Sequence, residues 1–146
     1  MNTTEFLTIS SAIVPDRQAT VAGDRRITYE ELQGRVNRLA NALEGLGVHR
    51  GHRVGVLNVN CAELIEAYFA SAKLDAVYVP LHFRARANEL IFMINDAEPT
   101  VLLVGRRYVD LVRSLSDRLR SVQHYVALDG PADGWHYYDD LISSSP

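Results

Sequence analysis

Cysteine is almost missing from this chain of 146 residues: Cys61 stands alone, so no internal disulfide can form. Lysine is as rare, with Lys73 the only one, and the remaining basic charge is arginine. No apolar run approaches the roughly 20 residues needed to cross a bilayer. The opening MNTTEFLTISSAIVPDR has neither the basic head nor the continuous apolar run of a secretory signal. These absences predict a cytoplasmic protein, any membrane association being peripheral. Without an export signal, the glycosylation pattern at Asn2, Thr3 and Thr4 is accidental. A dominant charge is missing too: 18 acidic against 15 basic residues leave a formal charge of −3, which gives no field to recruit nucleic acid or an anionic membrane.

What is present fits one compact domain, since a chain of this size buries roughly 68 to 70% of its unfolded surface. Before Thr28 the order reads as a short helix and then a small antiparallel hairpin, Ala19 to Ala22 and Arg25 to Thr28, turning at Gly23 and Asp24. Thr28 and Glu31 form a capping box for the next helix, whose apolar stripe is Tyr29, Leu32, Val36, Leu39, Leu43 and Leu46. Gly47 ends that helix with a positive φ.

After Gly51 the hydrophobic period changes. Val54 to Leu57, Ala76 to Pro80, Thr100 to Val104 and Tyr125 to Leu128 are short β-branched runs separated by helical segments, which predicts βαβ units. The fold class is therefore α/β, a mainly parallel sheet with helices on both faces behind the short helix and hairpin. The spacing predicts a helix starting at Asn60, boxed by Glu63 and burying Leu64, Ile65, Tyr68, Phe69 and Ala72. Further helices are expected over about 87–96, starting from the weak cap Arg86 and carrying Leu90, Ile91, Met93 and Ile94, and over about 108–119, lined by Leu111, Leu115 and Leu119. Gly130, Pro131 and Gly134 mark a loop, and 137–142 a last helical turn before a serine-rich ending that reads as a cut or a linker.

Few residues invite a chemical reading. GLGVHRG lies between a helix and the following strand, the reverse of a dinucleotide fingerprint, and its glycine spacing is wrong for one. His49, His52, His82, His124 and His136 lack the spacing of a metal site. Cys61, in the first turn of a helix, could be an activated thiol, but a small partly buried filler is the preferred reading. Arg106, Arg107, Arg113, Arg118 and Arg120, mixed with Asp110 and Asp117, read as a solvated face, and Lys73 as a helix-end cation. Ligands of open parallel sheets approach the carboxyl ends of strands, here 58–60, 80–84 and Gly105. No nucleophile and base pair stands there, and Asp129 alone is too little acid for a receiver-type phosphoryl site.

The series Pro15-Asp16-Arg17, Arg26 to Leu32, Arg35 to Leu43, Leu46 to Val48 with Gly51, Glu63, Phe69-Ala70, Lys73-Leu74, Ala76-Val77 and Val79 to Leu81 resembles the amino-terminal segment of acyl-adenylate-forming (AMP-binding) enzymes. Phe83-Arg84, Glu89-Leu90 and Asn95 to Pro99 tilt the resemblance toward fatty acyl-CoA ligases. His52, Asp75 and His82 depart from it, standing where an acidic residue, a glycine and an asparagine are usual. The resemblance implies a parent enzyme that uses ATP and magnesium to turn a fatty acid or other carboxylic acid into an acyl-adenylate plus pyrophosphate, then passes the acyl group to CoA. It also implies that 1–146 is the N-terminal part of the large domain, without phosphate loop and C-terminal domain. On that reading the chain is inactive alone and holds no catalytic, cofactor-binding or metal residue. Its partner is the remainder of its own enzyme, and the bared apolar surface favours self-association. A free-standing interaction module derived from the family is the second reading, and a small nucleotide-binding domain the third.

Overall fold

A computed structural model describes residues 2–146. The chain opens with α1 (Thr4–Ile13) and an antiparallel hairpin, β1 (Gln18–Ala22) and β2 (Arg25–Thr28), followed by α2 (Tyr29–Gly45). Then come β3 (Arg53–Leu57), α3 (Ala62–Lys73), β4 (Val77–Pro80), α4 (Ala87–Ala97), β5 (Val101–Val104) and α5 (Arg106–Leu115). A 3-10 turn (Ser116–Arg118) leads into β6 (His124–Ala127), β7 (His136–Tyr137) and α6 (Tyr138–Ser144). Strands β3 to β7 form one parallel sheet in the order β4-β3-β5-β6-β7.

Helices cover both faces, which is what unbroken apolar strands require. Along β5, Val101 and Leu103 point into the core shared with α1, α2, α3 and α6, while Leu102 and Val104 point into the core shared with α4 and α5. The start of α2 is fixed as the sequence predicts: Glu31 N–H donates to Thr28 Oγ1, and Thr28 N–H donates to the Glu31 carboxylate at 2.8 Å. Its end is a Schellman turn, with Gly47 N–H bonded to Glu44 O and Val48 N–H to Leu43 O around Gly47 at φ 88°. The end of α3 repeats this turn with Asp75 at φ 52° in the glycine position, and Asp75 N–H and Ala76 N–H reach Ala72 O and Ser71 O. Aspartate tolerates the left-handed region better than most residues, so the departure from glycine leaves the turn intact.

Four expectations need correction. The box at Asn60 does not form, because Cys61 takes the N-cap position and Glu63 pairs instead with Arg25 at 3.3 Å. The buried face of α3 is Ala62, Glu66, Ala67, Ala70 and Ser71, whereas Ile65 and Tyr68 are exposed and Leu64, Phe69 and Ala72 only partly buried. Small side chains on that face let α3 lie close against α2 and the sheet, with Leu64 and Phe69 packed at the core's margin and Ile65 and Tyr68 turned outward. Helix α5 begins earlier, at Arg106, and buries Val109 and Val112 beside Leu115. Residues 136–137 form a fifth sheet strand that two residues of sequence could not announce, and the final helix runs to Ser144.

Candidate functional site at the strand ends

The strand order makes the crossover leaving β3 run to one side and the next run back past it, so a crevice between the carboxyl ends of β3 and β5 is the expected ligand position. Asn58 follows β3 and Gly105 follows β5. Gly105 has an ordinary φ of −64°, but a Cβ there would stand 2.0 Å from Asn58 Oδ1. Glycine is thus required by space: the Asn58 amide fills the crevice, with its Nδ2 3.5 Å from Cys61 Sγ. Asp129, following β6, caps α5 by accepting Arg106 N–H at 2.6 Å, and Asp139 and Asp140 follow β7 in the first turn of α6.

The other candidates are held by local contacts. Burial, then the Glu63 carboxylate, pushes the Cys61 thiol up to about 11, so at neutral pH it is a protonated filler. His82 stacks on Phe83 with ring centroids 5.7 Å apart, Arg84 lies 5.4 Å above the same ring, and Arg84 N–H donates to His82 Nδ1. Beside them an open groove of about 650 Å³ runs along α4, past Asn88, Phe92 and Met93. His124 Nδ1 and His136 Nε2 lie 3.3 Å apart, yet no group of three histidine, cysteine or acidic residues gathers among the described residues. The five arginines from Arg106 to Arg120 are exposed, and Arg113 lies over the Trp135 ring while donating to Asp133 O. Lys73 Nζ donates to Asn37 Oδ1 at 2.5 Å. No described helix is long and apolar enough to cross a membrane.

The polar feature that sequence reasoning missed lies under α3. Glu66 is fully buried and accepts Arg35 Nε at 2.6 Å, Arg35 Nη2 at 3.2 Å and the Tyr138 hydroxyl at 2.5 Å. This ties α2, α3 and α6 together. Burial opposes the Arg35 charge, but the hydrogen bond and charge of Glu66 outweigh it and hold the guanidinium above its ordinary value. Burial, reinforced by Glu66, raises the Tyr138 phenol well above its ordinary 10.0, so Tyr138 stays neutral and donates. With no exposed surface and three donors on its two oxygens, Glu66 acts as a clamp between the helices.

What the strand ends offer is a shaped, plugged crevice and anchored loops, with His82 following β4 and Asp129 following β6. The sequence pattern of the AMP-binding enzyme family matches residues 9–143. The chain belongs to that family. An indoleacetate–CoA ligase of Aromatoleum aromaticum is 33% identical over 99% of the chain, and a long-chain-fatty-acid–CoA ligase of Thermus thermophilus 36% identical over 80%. The crystal structure of an anthranilate CoA ligase in complex with anthranoyl-AMP superposes on the whole chain with a TM-score of 0.96 at 28% identity. The chain spans 28%, 22% and 28% of the length of these three proteins.

Proposed function

We propose that the chain is the N-terminal scaffold of an ATP-dependent, AMP-forming acid–CoA ligase, the activated acid being a fatty acid. The observation that carries this is the match of essentially the whole chain to roughly a quarter of proteins named as CoA ligases. The acid is the finer part of the reading: it rests on the Phe83-Arg84 and Asn95 to Pro99 segments, while the relatives named above act on indoleacetate, long-chain fatty acid and anthranilate. ATP, magnesium and CoA belong to the intact enzyme. Among the described residues no group of three or more histidine, cysteine or acidic side chains gathers that could hold magnesium, which supports placing the metal with the rest of the enzyme. The chain's own part is to order the sheet and loops beside which adenylation takes place.

The purified chain, given ATP, magnesium, CoA and a panel of fatty, aryl and arylacetic acids, is expected to release no AMP or pyrophosphate. Turnover by the isolated chain would overturn the scaffold reading. The coding sequence gives the second test: an open frame running past Pro146 into a serine-, threonine- and glycine-rich loop closed by lysine supports a ligase. A stop codon directly after Pro146 favours a free-standing, non-catalytic interaction module instead. In that intact enzyme, the ratio of kcat/KM between fatty and aryl acids decides the acid class.

A further inference from the structure

The two edges of the parallel sheet differ, and β4 is the open one. Val77 N–H donates to His52 O and Leu81 N–H to Val56 O, so alternate residues of β4 face β3 while Tyr78 and Pro80 face outward. Pro80 has no N–H to give, and the Ala76 N–H is already bonded to Ser71 O. Tyr78 is therefore the one residue of this edge with both a backbone donor and an acceptor turned out. A residue of that kind is self-complementary, because in an antiparallel ladder two residues facing each other exchange both of their hydrogen bonds.

We infer that β4 is a self-pairing edge: two copies of this chain associate about a twofold axis at Tyr78, each β4 antiparallel to the other. The side chains around the axis suit a copy of themselves. Val77 is 49% exposed, and Tyr68, 41% exposed, stands edge-on to the Tyr78 ring at 5.8 Å with Ile65 one turn away. Charge also favours this direction of pairing. Antiparallel strands bring Asp75, at the start of one β4, to the end of the other, where His82 and Arg84 stand, and the twofold repeats the contact. Lys73, the like charge nearby, is turned away to Asn37. Only a handful of side chains line the patch, against the roughly 20–30 residues a side of a standard stable interface, so the dimer is weak and concentration-dependent. An isologous pair closes on itself and stops at two. This surface does not depend on the ligase reading, which the activity and reading-frame tests decide separately.

Sedimentation velocity of the purified chain from low to several hundred micromolar tests the pairing. The expected result is a monomer–dimer equilibrium that Val77→Lys weakens at least tenfold, with an unchanged circular-dichroism melt showing that the variant folds. Asp75→Lys and Arg84→Glu each weaken it, and the double variant recovers most of the loss, an effect that a change in fold stability cannot imitate. Phe6→Lys and Ile13→Lys on the exposed side of α1 leave it unchanged. A monomer throughout, association that ignores Val77→Lys, loss through the α1 variants instead, or species growing beyond the dimer would each overturn the proposal.

Discussion

At one edge of the sheet, β7 contributes two residues and the chain then turns at once into α6, whose Tyr138 and Ile142 are buried. Trp135 stacks on Tyr125 at 4.9 Å beside it, and the Tyr138 hydroxyl locks onto Glu66. At the other edge, β4 ends in the open, with Val77 half-exposed and Tyr68 and Ile65 uncovered. The first edge is closed by the chain itself, through α6, whose Tyr138 reaches across to the buried Glu66 of α3. The second is left to whatever meets it. A buried ion pair adds little net stability over an apolar substitute, yet breaking it by removing one partner is costly, so the closed edge is fragile to point change and the open edge tolerant.

The largest expected effect follows from removing Glu66, the acceptor to which α6 and α2 are tied. Glu66→Ala leaves the Tyr138 hydroxyl buried without an acceptor, and the largely buried Arg35 guanidinium with only the exposed Asp139 carboxylate 4.0 Å from Nη2. The expected loss is about 3–5 kcal/mol in urea unfolding monitored by circular dichroism. Glu66→Gln, which keeps the shape and one acceptor, loses less. Equal losses for the two variants would show that the carboxylate charge does not hold this corner together.

Next comes Tyr138→Phe, which deletes one hydrogen bond to a charged acceptor at a cost of about 1.5–3 kcal/mol near neutral pH. The variant also reads the pH dependence. The folded state holds the Tyr138 proton more tightly than the unfolded chain, so its contribution is fully present below the ordinary value of 10.0 and is lost as the pH climbs above it toward the raised folded value. The wild-type chain should therefore lose stability in alkali above that point more steeply than Tyr138→Phe. Parallel alkaline slopes would assign the loss to other groups raised by burial, among them Tyr78 and Tyr125.

How far such features were legible in the sequence differs between the two edges for a physical reason. The Thr28–Glu31 box, the Gly47 stop and the four longer strands are set by near neighbours or by unbroken apolar runs, and the structure has them where the pattern puts them. The Glu66 clamp joins residues 31 and 72 positions apart, and a glutamate on a helix reads as solvated unless its partners are known. The same blindness rotated the expected face of α3: periodicity gives bulky apolar residues to the core, whereas here alanines and a paired glutamate occupy it and Ile65 and Tyr68 remain outside. Asn58 filling the crevice beside Gly105 was equally out of reach, since nothing local marks a glycine needed for space.

The smallest effect sharpens the comparison best, because one substitution type is placed at both edges. Lysine at Val77 replaces a half-exposed side chain on an edge strand, where charged residues are well tolerated. At concentrations where the chain is monomeric, stability should therefore stay within about 0.5 kcal/mol of wild type. Lysine at Ile142, only 3% exposed beneath α6, must either bury an unpaired ammonium or lift the helix off α2, and the loss should reach several kcal/mol, roughly the 3–5 of a broken buried pair. Thermal and urea unfolding of the two variants in parallel check this. Comparable losses would mean that β4 is held by contacts its exposure does not reveal, and that the two edges are closed to the same degree.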